Sequence, residues 1–406
     1  MHPPRLLYIV SLFPCWSETF IVREIAALIA AGADVRILSL KAPSEELVHP
    51  EAERLLPRVR HPLATGPAAL RRAAALFAHP RALSSLALAL GRALARHPIE
   101  LAKSLEAVAR AVEQLDWVRE FDPDVIHAHW ASYPSTAALA LGRLLGKPFG
   151  FTCHAHDIFV HDHLLREKIE SAAVPVTISR YNVEWLAGQV TGQARDRLNV
   201  IHCGVDLPSL SFHDDGREED LIVTVGRLDP IKGFEVLIDA LAELKRQGRR
   251  FRCRVIGEGP LRDDLQARID RQGLSELVQL IGARPQAEVR AALHAASIFA
   301  LPSLIAPNGD RDGIPVSLME AMAAGAPVVS TRVSGIPELI DNEREGLLVS
   351  PRDSRALADA IARLLDDAPL RRRLAVAARA KIEREFDAAR EANKLLELFA
   401  HARARA

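Results

Sequence analysis

The stretch 225–233, VGRLDPIKG, carries two cations, Arg227 and Lys232, on what reads as a loop leaving a strand. The carboxyl end of a parallel strand is where doubly wound domains bind ligands. A second stretch, 309–325 (GDRDGIPVSLMEAMAAG), carries Asp312 and, eight residues on, Glu320. A carboxylate accepts paired hydrogen bonds from neighbouring hydroxyls, such as those of a ribose or a hexose. The pattern becomes helical near Val316. The first turn of a helix has free N–H groups and partial positive charge, which suits an anionic or polyhydroxyl ligand. The plain alternatives are surface cations in water and an acid capping a helix.

Other polar groups recur at the ends of apolar runs. GEGP (257–260) and GARP (282–285) each follow a strand pattern and precede a helical one. Glycines there let a ligand approach the backbone. FTCHAHD (151–157) places His154 at a strand end, with His156 and Asp157 beside it. IHAHW holds His127 and His129, which share one face of a strand. The sequence puts no carboxylate or Cys cluster next to them, so a hydrogen-bonded structural role or one in an acceptor loop is expected rather than a metal. SLFPCWSETF (11–20) enters a helix that Ser17 or Thr19 could cap, with Glu18 between them. The four cysteines, Cys15, Cys153, Cys203 and Cys253, lie fifty or more residues apart, a spacing that suits neither zinc nor a disulfide framework.

These groups need a scaffold. Short Val/Ile/Leu/Phe-rich runs at 6–12, 35–40, 124–128, 149–153, 174–178 and 199–202 read as buried strands. The pattern restarts at 221–225 and continues at 253–257, 278–281, 297–301, 327–330 and 347–349. Helical stretches separate them, which implies parallel, doubly wound sheets. The polar stretch 209–220 interrupts the alternation. It divides the 406 residues into a domain 1–208 and a domain 221–386, with a terminal helix 387–406 expected to cross a domain surface. The formal net charge is zero, which argues against a nucleic-acid partner. Residues 57–112 differ: nine Lys/Arg stand against two Asp/Glu, and His-Pro pairs at His61, His79 and His97 each suggest a helix start. Leu83, Leu86, Leu90 and Leu94 share one helical face, as do Leu101, Leu105, Val108 and Val112. A basic amphipathic insert of this kind suits an anionic membrane or a lipid diphosphate. The apolar run after Arg5 reads as a first strand rather than a signal segment, and no run is long enough to span a bilayer.

With these motifs in view, the chain resembles retaining glycosyltransferase family 4. That family carries an acidic residue, seven residues, then Glu, ahead of A-M-A-x-G-x-P-V-V; here these are Asp312, Glu320 and residues 321–329. The Ser-Glu-Thr-Phe at 17–20 and GDRDGIP at 309–315 resemble the exopolysaccharide, colanic-acid-type subgroup. The resemblance implies a GT-B fold, two Rossmann-like doubly wound α/β domains facing each other across a cleft. It implies that Arg227 and Lys232 hold the donor diphosphate and that Glu320 binds the ribose. Asp312, with backbone groups of Gly313, Ile314 and Val316, would address the donor sugar. Gly257, Gly259 and Arg284 would surround the phosphates and base, and His154 would lie near the sugar. Ser17, Glu18 and Thr19 would stand on the acceptor side. Family members usually have Glu where Asp312 stands, and Pro315 removes one backbone donor.

The function so implied is transfer of a hexose from a nucleotide diphosphate sugar, without metal or other cofactor, to a glycan or polyprenyl-diphosphate-linked acceptor. The setting would be cytoplasmic polysaccharide assembly, at the inner face of the membrane. Alternatives are a nucleotide-sugar epimerase of the same fold, or a two-lobed binding protein without activity. No G-x-G-x-x-G follows a strand, which disfavours a dinucleotide enzyme.

Overall fold

The structure, a computed structural model, describes residues 3–16, 18–43, 50–62, 80–95, 97–160, 164–190, 192–213 and 215–405. The chain forms two compact units, Met1–His202 with Ala389–Ala406, and Cys203–Ala388.

The first unit holds seven parallel strands: β1 (Arg5–Val10), β2 (Asp34–Ser39), β3 (Val59–Arg60), β4 (Val125–His129), β5 (Phe149–Cys153), β6 (Val174–Thr177) and β7 (Asn199–Val200). Their order is β3-β2-β1-β4-β5-β6-β7. The residues of β1 after Arg5, and all of β4 and β5, are buried because helices cover both faces. One side of the sheet packs Leu7, Ile9, Ile126 and Phe151. The other packs Leu6, Tyr8 and Val125 with Leu395, Phe399 and Ala402 of the terminal helix Ala388–Ala404. That helix completes this core, and Leu395 and Phe399 each contribute roughly 1.5–3 kcal/mol.

The second unit holds β8 (Glu218–Val225), β9 (Arg252–Ile256), β10 (Val278–Gly282), β11 (Ala296–Leu301), β12 (Val328–Thr331) and β13 (Leu347–Val349). Their order is β10-β9-β8-β11-β12-β13, all parallel. In both sheets the chain winds outward one way, returns to the middle, and winds out the other way. Each therefore has a topological switch point, between β1 and β4 and between β8 and β11.

Several details depart from the sequence reading. The polar stretch 209–220 packs against the second unit. Leu210 is buried, and Arg217 Nη1 donates to the carbonyls of Leu293, His294 and Ala296. Strand β8 starts within it, at Glu218. The insert 57–112 contains strand β3, which was expected to be helical. His79-Pro80 and His97-Pro98 do precede helices, Pro80–Leu94 and Pro98–Val112; the segment after His61-Pro62 lies outside the described residues. Leu86, Leu90, Val108 and Val112 are buried, but Leu105 is 37% exposed. Ala107 and Ala111 take its place in the core because the buried face of that helix is turned toward them. The side chains of Leu83 and Leu94 lie outside the described residues.

Candidate functional site

In the second unit the expected donor residues stand at one edge of the sheet, the carboxyl ends of the strands. Arg227 and Lys232 follow β8, Gly257 and Gly259 follow β9, Arg284 follows β10 and Asp312 follows β11. The loops after β8 and β11 flank the switch point and are joined. Leu304 N donates to Ile231 O at 2.8 Å. Gly233 has φ 68°, and a Cβ there would lie 2.0 Å from Pro302 O. Only glycine permits this approach. The result brings Lys232 Nζ to 2.6 Å from Asp312 Oδ1, with Ser303 Oγ donating to Asp312 Oδ2 at 2.9 Å. Thr331 Oγ1 donates in turn to the Ser303 carbonyl. The lysine and aspartate side chains are only 16% and 11% exposed, so little water screens the pair.

Arg227 is exposed, on the same loop as Lys232. Gly257 adopts φ 146°, and a Cβ on it would fall 1.9 Å from Gly226 O; one on Gly259 would fall 2.5 Å from Leu228 O. These two glycines thus let the β9 loop press on the Arg227 loop. Arg284, just ahead of the helix Gln286–Ala295, pairs with Glu288 of that helix at 3.5 Å. Gly313 and Ile314 are buried ahead of the helix Val316–Ala323, whose start carries no side-chain cap. Its Leu318 and Met319 amides both donate to the Pro315 carbonyl, at 3.1 and 3.3 Å. Glu320 is 5% exposed, and Gln286 Nε2 donates to its Oε1 at 3.1 Å. The structure pairs Lys232 with Asp312; it shows no direct bond from either to Arg227 or Glu320. Gln286 and Ser303, which hold the two acids, had no signal in the sequence beyond their nearness to the motifs.

In the first unit the loops after β1 and β4 flank the other switch point. They too are joined across it: Trp130 Nε1 donates to Glu18 Oε1 at 3.1 Å. Trp130 has φ 76° and rests against His154, with ring centroids 4.6 Å apart. Glu18 is the N-cap of helix Thr19–Ala30, and no side chain caps it. Thr19 is the first helical residue rather than the cap, because the acid at 18 is turned to Trp130; Ser17 lies outside the described residues. Asp157 is buried. Its carboxylate accepts from the amides of Ala131 (2.5 Å) and His154 (2.9 Å). Beside it the buried Lys168 Nζ donates to the carbonyls of Ala131 and Ser132. Burial pulls the Lys168 ammonium down to about 7, against the opposing charge of Asp157. Burial also raises the Asp157 carboxyl, although backbone amides oppose it. A cavity of about 380 Å³ opens here, lined among others by Glu18, Glu100, Lys103, Trp130, Tyr133 and Lys168. Tyr133 Oη donates to Glu100, from the helix Pro98–Val112, so the basic insert forms part of its wall.

His127 and His129 are fully buried. His127 Nε2 meets Thr152 Oγ1 at 2.8 Å. His129 joins two groups: its Nε2 is 3.0 Å from Glu24 Oε1, and its Nδ1 is 3.1 Å from His154 Nε2. A carboxylate does accompany the histidines, then. It comes from helix Thr19–Ala30, about a hundred residues away, where sequence neighbours could not show it. Among the described residues Glu24, His127 and His129 are the one group whose potential ligand atoms cluster, all within 4.8 Å of one another. Burial pushes the Glu24 carboxyl up, but the charge and hydrogen bond of His129, then His127 and Tyr8, bring it down to about 2. Burial holds His127 down to about 3, and His154 well below its ordinary value.

Comparison with known proteins gives the same assignment over both units. Residues 212–381 match the family described as glycosyl transferases group 1, and residues 17–208 match glycosyltransferase family 4. WcaL of Escherichia coli (strain K12), named for colanic acid biosynthesis, is 35% identical over 92% of this chain and 94% of its own length. AmsK of Erwinia amylovora, an amylovoran biosynthesis glycosyltransferase, is 41% identical over 48% of this chain and 49% of its own. Among solved structures, the sucrose-phosphate synthase of Thermosynechococcus elongatus covers all of both chains with a TM-score of 0.73 at 21% identity. Anabaena HepE in complex with UDP-glucose covers 98% of this chain and 99% of its own, with a TM-score of 0.69 at 18% identity. These two share the fold, GT-B, built from two such parallel sheets. By its motifs, its fold and its similarity to WcaL along nearly the whole length, the chain belongs to glycosyltransferase family 4 and is a glycosyltransferase.

Proposed function

We propose that the chain moves a hexose from a nucleotide diphosphate sugar to a glycan or polyprenyl-diphosphate-linked saccharide, with retention at the anomeric carbon, in cell-surface polysaccharide assembly. The observation that carries this reading is the Lys232–Asp312 pair at the switch point between β8 and β11, where doubly wound sheets bind ligands. Lys232 and Arg227 neutralise the donor diphosphate and stabilise the departing phosphate, which is the work a metal ion does elsewhere. On this reading no metal or other cofactor is needed. Glu320 accepts from the ribose hydroxyls, steadied by Gln286. Asp312 accepts from a sugar hydroxyl while holding Lys232 in place. Gly257, Gly259 and Arg284 border the phosphates and base. Gly313, Ile314 and Val316 present backbone groups to the sugar.

The acceptor enters the cavity of the first unit. Trp130 offers an aromatic face, and Glu18 and Glu100 accept from saccharide hydroxyls. Thr19 stands beside Glu18, and Ser17 is assigned to the same side by resemblance. His154 contacts the transferring sugar. The departing phosphate takes the acceptor proton, so the chain supplies no nucleophile of its own. The names of WcaL and AmsK support a role in exopolysaccharide synthesis.

No helix among the described residues is long and apolar enough to cross a membrane. We place the chain in the cytoplasm, touching the inner face of the anionic membrane through the basic insert, where Leu88 and Ile99 are 54% and 69% exposed. Liposome co-sedimentation with and without anionic lipid tests that placement.

The decisive experiment begins with thermal-shift measurements against UDP-, GDP- and ADP-sugars. A donor at a hundred times its Kd stabilises by about 2.7 kcal/mol. The responding donor is then incubated with and without saccharide acceptors. Acceptor-dependent loss of donor with net retention supports the reading. Conversion of the donor alone to an epimer overturns it in favour of a nucleotide-sugar epimerase.

A further inference from the structure

One group of buried side chains has no part in the transfer itself: Tyr8, Glu24 and His129. The Tyr8 hydroxyl is fully buried and lies 2.7 Å from Glu24 Oε1. The same oxygen lies 3.0 Å from His129 Nε2. An ionised carboxylate only accepts hydrogen bonds. The tyrosine therefore donates to it, and so does His129 Nε2. A neutral imidazole carries a single N–H. With that hydrogen on Nε2, His129 Nδ1 is an acceptor, and the group facing it at 3.1 Å is His154 Nε2. That nitrogen must then carry the hydrogen of His154, leaving Nδ1 of His154 with a free lone pair.

We propose that Glu24 and His129 are positioning residues that fix His154 in its Nε2–H tautomer, so that Nδ1 meets a saccharide hydroxyl as a hydrogen-bond acceptor. Glu24 stays ionised because the Tyr8 hydroxyl and His129 Nε2 both donate to it, and burial keeps His154 neutral. The residue is held at every other point as well. Its amide donates to Asp157 Oδ1 at 2.9 Å, and its carbonyl accepts from Asn182 Nδ2 at 2.5 Å. Its ring packs against both Trp130 and Phe20, with centroids 4.6 and 4.8 Å away. The ring is thus fixed in orientation, and the relay fixes which nitrogen is protonated, as second partners of functional histidines commonly do.

That the free nitrogen faces a saccharide rests on the transfer reading above; the tautomer does not, and the test separates them. The full-length protein is labelled with ¹⁵N-histidine, and two-bond ¹H–¹⁵N correlations are recorded at pH 7.5, with His154→Gln identifying the His154 signal. The wild type is expected to show the Nε2–H form alone. Glu24→Ala removes the acceptor that sets the chain of bonds, so both tautomers appear, and kcat falls roughly tenfold or more with donor KM little changed. Glu24→Gln keeps a carbonyl oxygen in place and retains most of the Nε2–H form and of the activity. A wild-type His154 protonated on Nδ1, the form a cationic His129 would impose, overturns the proposal. So does a divalent metal ion bound tightly at Glu24 and His129 of the purified protein, since it would take the Nε2 lone pair. If Glu24→Ala does not fold, the wild-type spectrum decides. A correct tautomer in a protein that transfers no sugar leaves the relay standing and rejects the transfer reading.

Discussion

Lys232 Nζ and Asp312 Oδ1, on loops leaving strands that are neighbours in space but distant in sequence, meet at 2.6 Å. The aspartate keeps the ammonium in a fixed position at the sheet edge. Lys232→Ala is expected to lower kcat by about a hundredfold, since one preorganised charge opposite the departing phosphate is lost. Lys232→Arg should recover little, because a planar guanidinium cannot reproduce the point charge that Lys232 Nζ sets against Asp312 Oδ1. Steady-state kinetics with a fixed acceptor measure both. Wild-type turnover in the alanine variant would remove Lys232 from the chemistry.

Glu320→Gln weakens donor binding. A hydrogen bond to a charged group is worth about 1.5–3 kcal/mol, so the donor Kd measured by calorimetry should rise at least tenfold. Gln286→Ala, which removes only the support at 3.1 Å, should raise it by less. Equal affinity in all three proteins would show that Glu320 does not touch the nucleoside.

Gly233→Ala separates the two loops at the switch point. The added Cβ meets Pro302 O at 2.0 Å, and φ 68° is itself strained for alanine. A fall in Tm together with lower kcat is expected. A variant with unchanged Tm and activity would mean that the loops can part at no cost.

Asp157 and Lys168 bracket the Ala131 peptide from opposite sides. Asp157→Ala leaves the Ala131 amide without its acceptor and a buried lysine without its counter-charge. A loss of about 3 kcal/mol is expected in chemical denaturation. Lys168→Met alone should cost less, and the double variant should be more stable than Asp157→Ala. Strict additivity of the two would show that they do not interact.

Stability should fall on mild acidification. In the unfolded chain a histidine takes its proton near 6.5, whereas folded His127 does so only near 3 and His154 also well below 6.5. Between those values the unfolded chain binds more protons, so each lowers stability as pH drops, by up to about 1.4 kcal/mol per unit. Glu24, held at about 2 against 4.5, loses its contribution between those limits, in the same direction. The melting temperature should be lower at pH 5.5 than at 7.5, and His127→Gln should flatten the slope. An unchanged slope in that variant would place the acid sensitivity elsewhere.

Both parallel sheets were legible in the sequence because strands covered on two faces are written as uninterrupted apolar runs. That Arg227, Lys232 and Asp312 stand at the carboxyl edge of the second sheet, and His154 at that of the first, followed from their positions after those runs. Pairings set by the tertiary fold were not legible. Glu24 reads as an ordinary helix residue until the helix docks against β1 and β4. Trp130 sits in the IHAHW motif, yet its positive φ and its bond to Glu18 depend on loops more than a hundred residues apart. Strand β3 is two residues long, too short for any periodicity to show. Asp157 and Lys168 bear opposite charges on elements that only folding brings together.

The path of the backbone has a practical consequence. The chain leaves the first unit at His202 and returns to it at Ala389. Around these passages Val205 N donates to Phe386 O and Ala388 N donates to Val205 O, at 2.9 and 3.1 Å, and a Cβ on Gly204 would fall 2.3 Å from the Ala388 Cα. His202 N donates to Glu391 Oε2 at 2.8 Å. Expressing residues 1–202 as a fragment would strip Leu395, Phe399 and Ala402 from one wall of its interior and yield a sticky, incomplete body. A separable front half has to be built by splicing 389–405 directly onto position 202, and the excised middle, 203–388, then has both of its ends at one seam.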